Sequence, residues 1–409
     1  MARSSTLTGL AGASPREKQL TITGFLDGLA RRAEMHDPLH PATRLFLVVL
    51  ALIGLGFLVQ VSHAATTRSE PEFLREVLAQ AAFRMAAVGV MLVAFRFGPS
   101  LLRVFIPHLV VASGLLLVLV FLEPFRAARN GACRWVELTE LGIPFSFQPS
   151  ELARIVIVVW IADRCVKLGS LVYDLRRGIL PMLVLALLFF AVILIETDLG
   201  GSMLFLICAL STMWVGGARL LPVGASLVAI GGGAITAASI FVPYIRDRIA
   251  MWFGQMENGQ VSLTLDALSS GGVFGAGYTR GAFRNDGVPY LESDYVFALI
   301  GEELGWIGTA LVLALWIAFL WFSLRLVLSL RERFEALASF GLLLSVGLQA
   351  MVHVQVVSGL APPKGMTLPF LSDGGTSLVV SALSVGMALG ASRKTHKELF
   401  PCRTSNVTA

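Results

Sequence analysis

Repeated long apolar runs constrain this chain more than any other feature. A helix of about 20 apolar residues is long enough to cross a hydrocarbon layer of about 30 Å, and inside lipid the backbone must satisfy its own polar groups, which a helix does. Such runs lie near Leu45 to Val61, Ala86 to Phe95 with its flanks, Val104 to Leu122, Leu152 to Val166, Ile179 to Ile195, Ser202 to Val215, Leu221 to Val242, Gly305 to Phe322, Leu337 to Val357 and Ser377 to Ala391. The pattern predicts an all-α integral membrane protein of about ten transmembrane helices. With 56% hydrophobic and 14% charged residues, the 409-residue chain has too much apolar surface for one soluble globule. The second span is bracketed by Arg84 and Arg96, which are expected to snorkel to the interfaces.

The formal charge of +5 comes from short basic clusters between apolar runs, not from one basic face, so a nucleic-acid partner is not expected. Those clusters set topology instead. Arg31 and Arg32, Arg96 and Arg103, Lys167 with Arg176 and Arg177, Arg219, Arg325 with Arg331 and Arg333, and Arg393 with Lys394 and Lys397 all fall on the side of the termini. By the positive-inside rule that side is the cytoplasm. The expected domains are a cytoplasmic tail over 1–42, a ten-helix membrane domain over 43–392 and a second cytoplasmic tail over 393–409. The first 40 residues lack an apolar core and do not read as a signal peptide. Four outer stretches remain: 62–81, 123–147, a large extracytoplasmic loop at 243–293 between helices 7 and 8, and 358–376. Cys133, Cys165, Cys208 and Cys402 lack metal-ligand spacing and predict neither a disulfide nor a zinc site.

Chemistry is expected in those outer stretches. Arg134-Trp135 precedes Gln148-Pro149-Ser150-Glu151 at the start of the fourth span. From physics alone Glu151 and Arg154 read as a salt-bridged helix start, with Ser150 able to cap it. Glu196-Thr197-Asp198-Leu199-Gly200 offers two carboxylates beside a span, with Asp198 able to cap the next helix and Glu196 able to face water. The long loop carries Gln260, Ser270-Gly271-Gly272, Gly275, Gly277 and Arg280, and its glycines suit close backbone approach or a phosphate cradle. Asp294, where that loop meets an apolar helix, is either an N-cap or a carboxylate raised by burial towards a useful base. Glu302 and Glu303 are adjacent, so only one is expected to face the interior. Lys364 and the Ser372 to Ser377 run at the start of the tenth span form either an anion site or a capped turn. His353 reads as a core histidine.

In order and on one side of the membrane, these segments resemble the SEDS family, which includes FtsW, RodA and SpoVE. The resemblance rests on Arg134-Trp135 with Gln148-Pro149-Ser150-Glu151, Asp198-Leu199-Gly200, Ser270-Gly271-Gly272 with Gly275 and Gly277, Asp294 with Glu302-Glu303-Leu304-Gly305, and Leu368-Pro369-Phe370 with Gly374-Gly375-Thr376-Ser377. It covers about Leu45 to Ala391.

It implies a peptidoglycan glycosyltransferase of the bacterial inner membrane that polymerises lipid II outside the cytoplasm and releases undecaprenyl diphosphate. Asp294 matches the essential aspartate and is expected to deprotonate the acceptor hydroxyl. Arg134, Lys364 or Arg280, or a divalent cation (Mg or Mn) near Asp294, would meet the leaving charge. Glu151, Arg154, Asp198, Gln260 and Ser377 join them as expected substrate contacts, with Glu151 and Arg154 shaping the cavity for the lipid carrier. The implied partners are a class B penicillin-binding protein, a transpeptidase, and other division or elongation proteins. Met366-Thr367-Leu368-Pro369-Phe370 points to the FtsW branch. Departures from the family pattern are Tyr290-Leu291-Glu292-Ser293 before Asp294, Glu196-Thr197, Arg154 in place of Lys, His353 in place of Asn and Asp373 in place of Tyr. A flippase or transporter would place its polar residues along a midplane path, and a non-catalytic division scaffold would tolerate loss of Asp294.

Overall fold

The computed structural model describes residues 40–122, 126–129, 132–137, 146–253, 259–283 and 290–399. Asn130, Gly131, Val288, Pro289, Cys402, the chain before residue 40 and the Gln260 side chain lie outside the described residues.

Each expected span falls on helix. α1 is Pro41–Thr67, α2 Glu70–Phe97, α3 Pro99–Leu119, α4 Pro149–Leu168, α5 Leu180–Ile195 and α6 Leu199–Val215. The seventh span is broken into α7 (Leu220–Ser226) and α8 (Gly232–Phe241) around a wider turn. After the loop helices α9 (Pro243–Trp252) and α10 (Gly259–Ser270) come α11 (Val296–Ser329), α12 (Arg333–Val357) and α13 (Gly375–Leu399). Seven stretches are long and apolar enough to cross a membrane by themselves, and Leu199–Val215 and Leu221–Ala237 are shorter apolar ones. α4 is too polar to qualify alone, because Glu151, Arg154, Asp163, Arg164 and Lys167 lie along it. Its neighbours bury it instead: Ala153, Ile157, Ile161 and Ala162 are fully enclosed in one core cluster with α5, α6 and α12. The protein is therefore a multi-pass membrane protein. Only 17% of the best apolar window of α3 is covered by protein, which leaves lipid to cover the rest.

α13 packs closely on α2. Gly386 and Gly390, one turn apart, leave room for the Met91 and Phe95 carbonyls, so a side chain at either would strike backbone. Small residues at this spacing let helices approach where lipid offers no hydrophobic drive.

The stretches between spans differ from expectation in four ways. Residues 62–81 are not a loop, since α1 and α2 extend beyond the apolar core and meet at a short turn before Glu70. Residues 126–147 hold a three-stranded antiparallel sheet of β1 (Arg126–Arg129), β2 (Ala132–Glu137) and β3 (Ser146–Phe147), a small exception to the all-α expectation. The long loop carries two helices. Its glycines pack on α11: Ala276 N and Gly277 N donate to the Glu302 and Glu303 carbonyls at 2.8 and 3.1 Å, and Gly271 and Gly275 fit against the α11 backbone.

Both acids of the Glu302-Glu303 pair are buried, contrary to the one-face expectation. Glu302 accepts from Phe283 N at 2.8 Å and Glu303 from Ser62 Oγ at 2.7 Å. Gly305, at φ +64°, bends α11 beneath the loop. Arg84 does not snorkel. It is buried, donates to Gln80 Oε1 at 2.5 Å and lies over the Phe57 ring.

Candidate active site

Several chain segments converge on a cavity of about 650 Å³ at the end of the bundle that carries the sheet, α9 and α10. The start of α4 contributes Glu151 and Arg154, the α5–α6 corner contributes Asp198, the turn before α11 contributes Asp294, and the run into α13 contributes Lys364 and Ser377. Arg134 reaches it from β2. At this size the cavity is in the range of small-molecule sites.

Asp294 is held by its own turn. Ser293 N and Asp294 N donate to Tyr290 O at 3.2 and 2.9 Å, with Tyr290 at φ +60°. Glu292 O accepts from Gln60 Nε2 at 2.9 Å and from Asp373 N at 3.0 Å, and Ser293 O accepts from Ser372 Oγ at 2.5 Å. The turn is thus tied to α1 and to the loop before α13. The N-cap position belongs to Tyr295, with no side-chain cap, so Asp294 is not spent on capping. Burial, with Glu292 adding to it, pushes the Asp294 carboxyl up to about 6 against the opposing charges of Arg248, Arg134 and Lys364.

Asp198 does cap α6, accepting from Gly201 N at 2.9 Å, and it also accepts from Gln148 Nε2 at 3.0 Å. Its Oδ1 faces Lys364 Nζ at 3.8 Å and Arg134 Nη1 at 3.9 Å. Burial would raise this carboxyl, but Lys364, Arg134, the Gly201 N–H and Gln148 together outweigh it and hold it low. Burial pulls Lys364 down to about 8, with Asp198 opposing and three arginines assisting. Arg134 is oriented by a 2.7 Å bond to Thr197 O. Glu196 does not face water: it is buried, and burial with Asp198 nearby pushes it up to about 9.

Deeper in the cavity, Arg154 donates from Nη2 to Gln349 Oε1 at 2.9 Å and does not close a salt bridge with Glu151. Gln349 Nε2 donates to Ser377 Oγ at 3.0 Å, and Thr367 Oγ1 to the same oxygen at 2.9 Å. The N-cap of α4 is Gln148, not Ser150. His353 is a core histidine, with Nδ1 2.6 Å from Met366 O.

Arg280 is exposed and does not line the cavity. Arg248 on α9 takes that place, donating to Pro363 O at 2.8 Å. The sequence reading missed it. Its one signal is the Arg246-Asp247-Arg248 triplet just past the seventh span.

Among the described residues no three His, Cys, Asp or Glu side chains converge to hold a metal. Asp198 is committed to two cations, so a divalent ion would find Asp294 and the phosphates of a ligand. Sparse protein ligation of this kind suits Mg²⁺.

The sequence profile of the family described as "Cell cycle protein", FtsW, RodA and SpoVE, matches residues 42–397. A probable peptidoglycan glycosyltransferase FtsW from Nitrosomonas europaea is 31% identical over 373 residues, covering 87% of this chain and 94% of its own. Stage V sporulation protein E of Bacillus subtilis is 29% identical over 360 residues, covering 86% and 97%. Among solved structures, a chain from a peptidoglycan synthase complex that coordinates polymerization and crosslinking is 25% identical with a TM-score of 0.69, covering 86% of this chain and 98% of its own. The rod shape determining protein RodA of Thermus thermophilus shares the fold at a TM-score of 0.60 and 24% identity, covering 86% and 96%.

Proposed function

The chain belongs to the cell cycle protein family of FtsW, RodA and SpoVE, and from that premise we propose that it is a peptidoglycan glycosyltransferase that polymerises lipid II into glycan strands. One observation carries the reading: a carboxylate raised to about 6, Asp294, shares a single cavity with Arg134, Lys364 and Arg248. A base and a cationic surface in one cavity are what glycosyl transfer from a diphosphate requires.

Asp294 takes the proton from the acceptor's 4-hydroxyl as that oxygen attacks the donor's anomeric carbon. The bond from that carbon to the diphosphate breaks, and undecaprenyl diphosphate leaves with the electron pair. Arg134 and Lys364, held in place by Asp198, meet the charge that develops on the leaving oxygens. A Mg or Mn ion held by Asp294 and the substrate's phosphates would add to that neutralisation.

We read the cavity end as facing out of the cytoplasm, in the bacterial inner membrane, with both termini inside. The opposite end of α4 supports this, with Lys167 and Arg103 on Asp163 at 2.6 and 2.7 Å among the basic loops. The likeness to a chain from a synthase complex supports a transpeptidase partner of the class B penicillin-binding type, with other division or elongation proteins. Relatives named FtsW support the division branch.

The test is strand formation from labelled lipid II by the purified chain with its cognate transpeptidase. Asp294→Ala should lower the rate by at least about a hundredfold. Equal rates for the two proteins, or no polymer from a folded complex, would sink the reading in favour of a scaffold or flippase.

A further inference from the structure

On α4, the wall of the cavity contains two buried polar atoms that no protein group satisfies. Glu151 Oε2 and Arg154 Nε both lack a hydrogen-bond partner, although both side chains line the cavity. Arg154 is only 7% exposed. Unsatisfied buried groups of this kind are costly, so a fold that keeps two of them within one turn of α4 points to something that fills them.

The pair is pre-set. Residues three apart on a helix are neighbours on one face, so Glu151 and Arg154 present an acceptor and a donor together. A guanidinium is a rigid plane, and the 2.9 Å bond from Nη2 to Gln349 fixes that plane and with it the direction of Nε. Gln349 is itself held by Ser377 and Thr367, both at the start of or just before α13. The chemistry of the pair narrows the ligand. A phosphate suits Arg154 but is repelled by Glu151, and an ammonium suits Glu151 but is repelled by Arg154. A neutral group that carries a donor and an acceptor on opposite edges can be held between the two side chains and satisfies both at once, and a secondary amide is such a group.

We propose that Glu151 and Arg154 recognise a secondary amide of the substrate, the Glu151 carboxylate accepting its N–H and Arg154 Nε donating to its carbonyl oxygen. The inference rests on the glycosyltransferase reading, in which the headgroup brings both sugar acetamido groups and stem-peptide amides. It makes the pair a specificity determinant beside the Asp294 chemistry, not a lining for the lipid tail.

The test is equilibrium binding to the full chain in nanodiscs, using water-soluble short-chain analogues of the lipid-linked disaccharide headgroup. One analogue carries acetate esters in place of the acetamido groups, and another lacks the stem peptide. Losing the recognised N–H should weaken binding by about tenfold or more. Loss with the ester analogue alone assigns the sugar amide, and loss with the peptide-free analogue alone assigns the peptide amide. Equal binding of all three overturns the proposal. Glu151→Leu should bind the native headgroup about tenfold more weakly and no longer distinguish the analogues, whereas Glu151→Gln keeps an acceptor and should keep the discrimination. Inorganic pyrophosphate binding, carried by the cationic side, should be retained or tightened in both variants, since each removes the Glu151 charge, and reports that the cavity is intact. If Glu151→Leu retains full discrimination, the assignment to this pair is wrong. Failure of the native headgroup to bind at all would instead strike the proposed function, and that outcome is separable by the strand-formation assay.

Discussion

A methyl group placed on Gly365 would stand 2.6 Å from Asp294 Oδ2, so the backbone of the Pro-Pro-Lys-Gly loop forms one wall of the space that the carboxylate occupies. The atom in the way is the end of a short flexible side chain, not backbone. A Gly365→Ala chain should therefore fold with little loss of stability while its Asp294 carboxylate turns aside. A shift of about 1 Å in a catalytic group costs on the order of a hundredfold in rate. Strand-formation rate and thermal midpoint measured on the same preparation separate the two effects. An equal fall in both would mean that Gly365 serves only the fold.

Two titrations set the pH range in which the site can work. Asp294 must be ionised to accept a proton, and its carboxyl is pushed up to about 6, so kcat/KM should rise with pH through about 6. Lys364 must be charged to face the diphosphate, and burial pulls it down to about 8, so kcat/KM should fall as pH passes about 8. The expected profile is a bell between those values. Arg keeps its charge throughout, so Lys364→Arg should move the alkaline limb upward and leave the acid limb in place. An alkaline limb that does not move in that variant would remove Lys364 from the leaving-group role.

Gly200 sits under Lys364. A side chain at Gly200 would strike the Lys364 ammonium, which stands 3.8 Å from Asp198 Oδ1. Gly200→Ala should swing the lysine off Asp198 and weaken binding of pyrophosphate, with the fold kept because the lysine stem can bend. Asp198→Ala differs in kind. It also deletes the cap on Gly201 N, which costs about 1 kcal/mol of stability, and leaves two cations facing each other. Binding isotherms for the first variant and thermal midpoints for the second should therefore diverge.

How far the sequence spoke depended on whether the answer was local. The spans were legible because apolar runs of membrane length have few alternatives in lipid, and even the polar α4 was found from Leu152 to Val166. Asp294, Lys364, Glu151 and Ser377 were legible because polar motifs at the ends of apolar helices must gather at one face of the bundle, and the cavity gathers them. Burial of both Glu302 and Glu303 was not legible. The rule that adjacent helical residues face apart holds, but each face has its own distant cover, Gly281 and Phe283 over Glu302 and Ser62 of α1 over Glu303. Arg84 reads as snorkelling because its partner Gln80, one turn away on α2, gives no sign of burial, and Phe57 comes from α1.

Arg248 and Arg280 give the sharpest contrast between the two readings, since both are arginines of the same long loop. Sequence alone favoured Arg280, which stands beside the glycine motif. The fold places Arg280 in solvent and brings Arg248 over the cavity, because α9 is pinned to the 358–365 loop by Arg248 Nη1 on Pro363 O at 2.8 Å and Trp252 Nε1 on Gly359 O at 3.1 Å. Arg248 also supplies the largest charge opposing the rise of the Asp294 carboxyl. Its removal should do two things at once. Arg248→Ala should lower the rate by about tenfold or more through the lost cation, and should move the acid limb of the pH profile above about 6 because Asp294 loses that opposition. Arg280→Ala should leave both the rate and the limb where they are. A shifted limb distinguishes the electrostatic role from simple loosening of α9, which would lower the rate at every pH alike. If instead Arg280→Ala carries the loss and Arg248→Ala is silent, the arrangement of the long loop over the cavity is wrong.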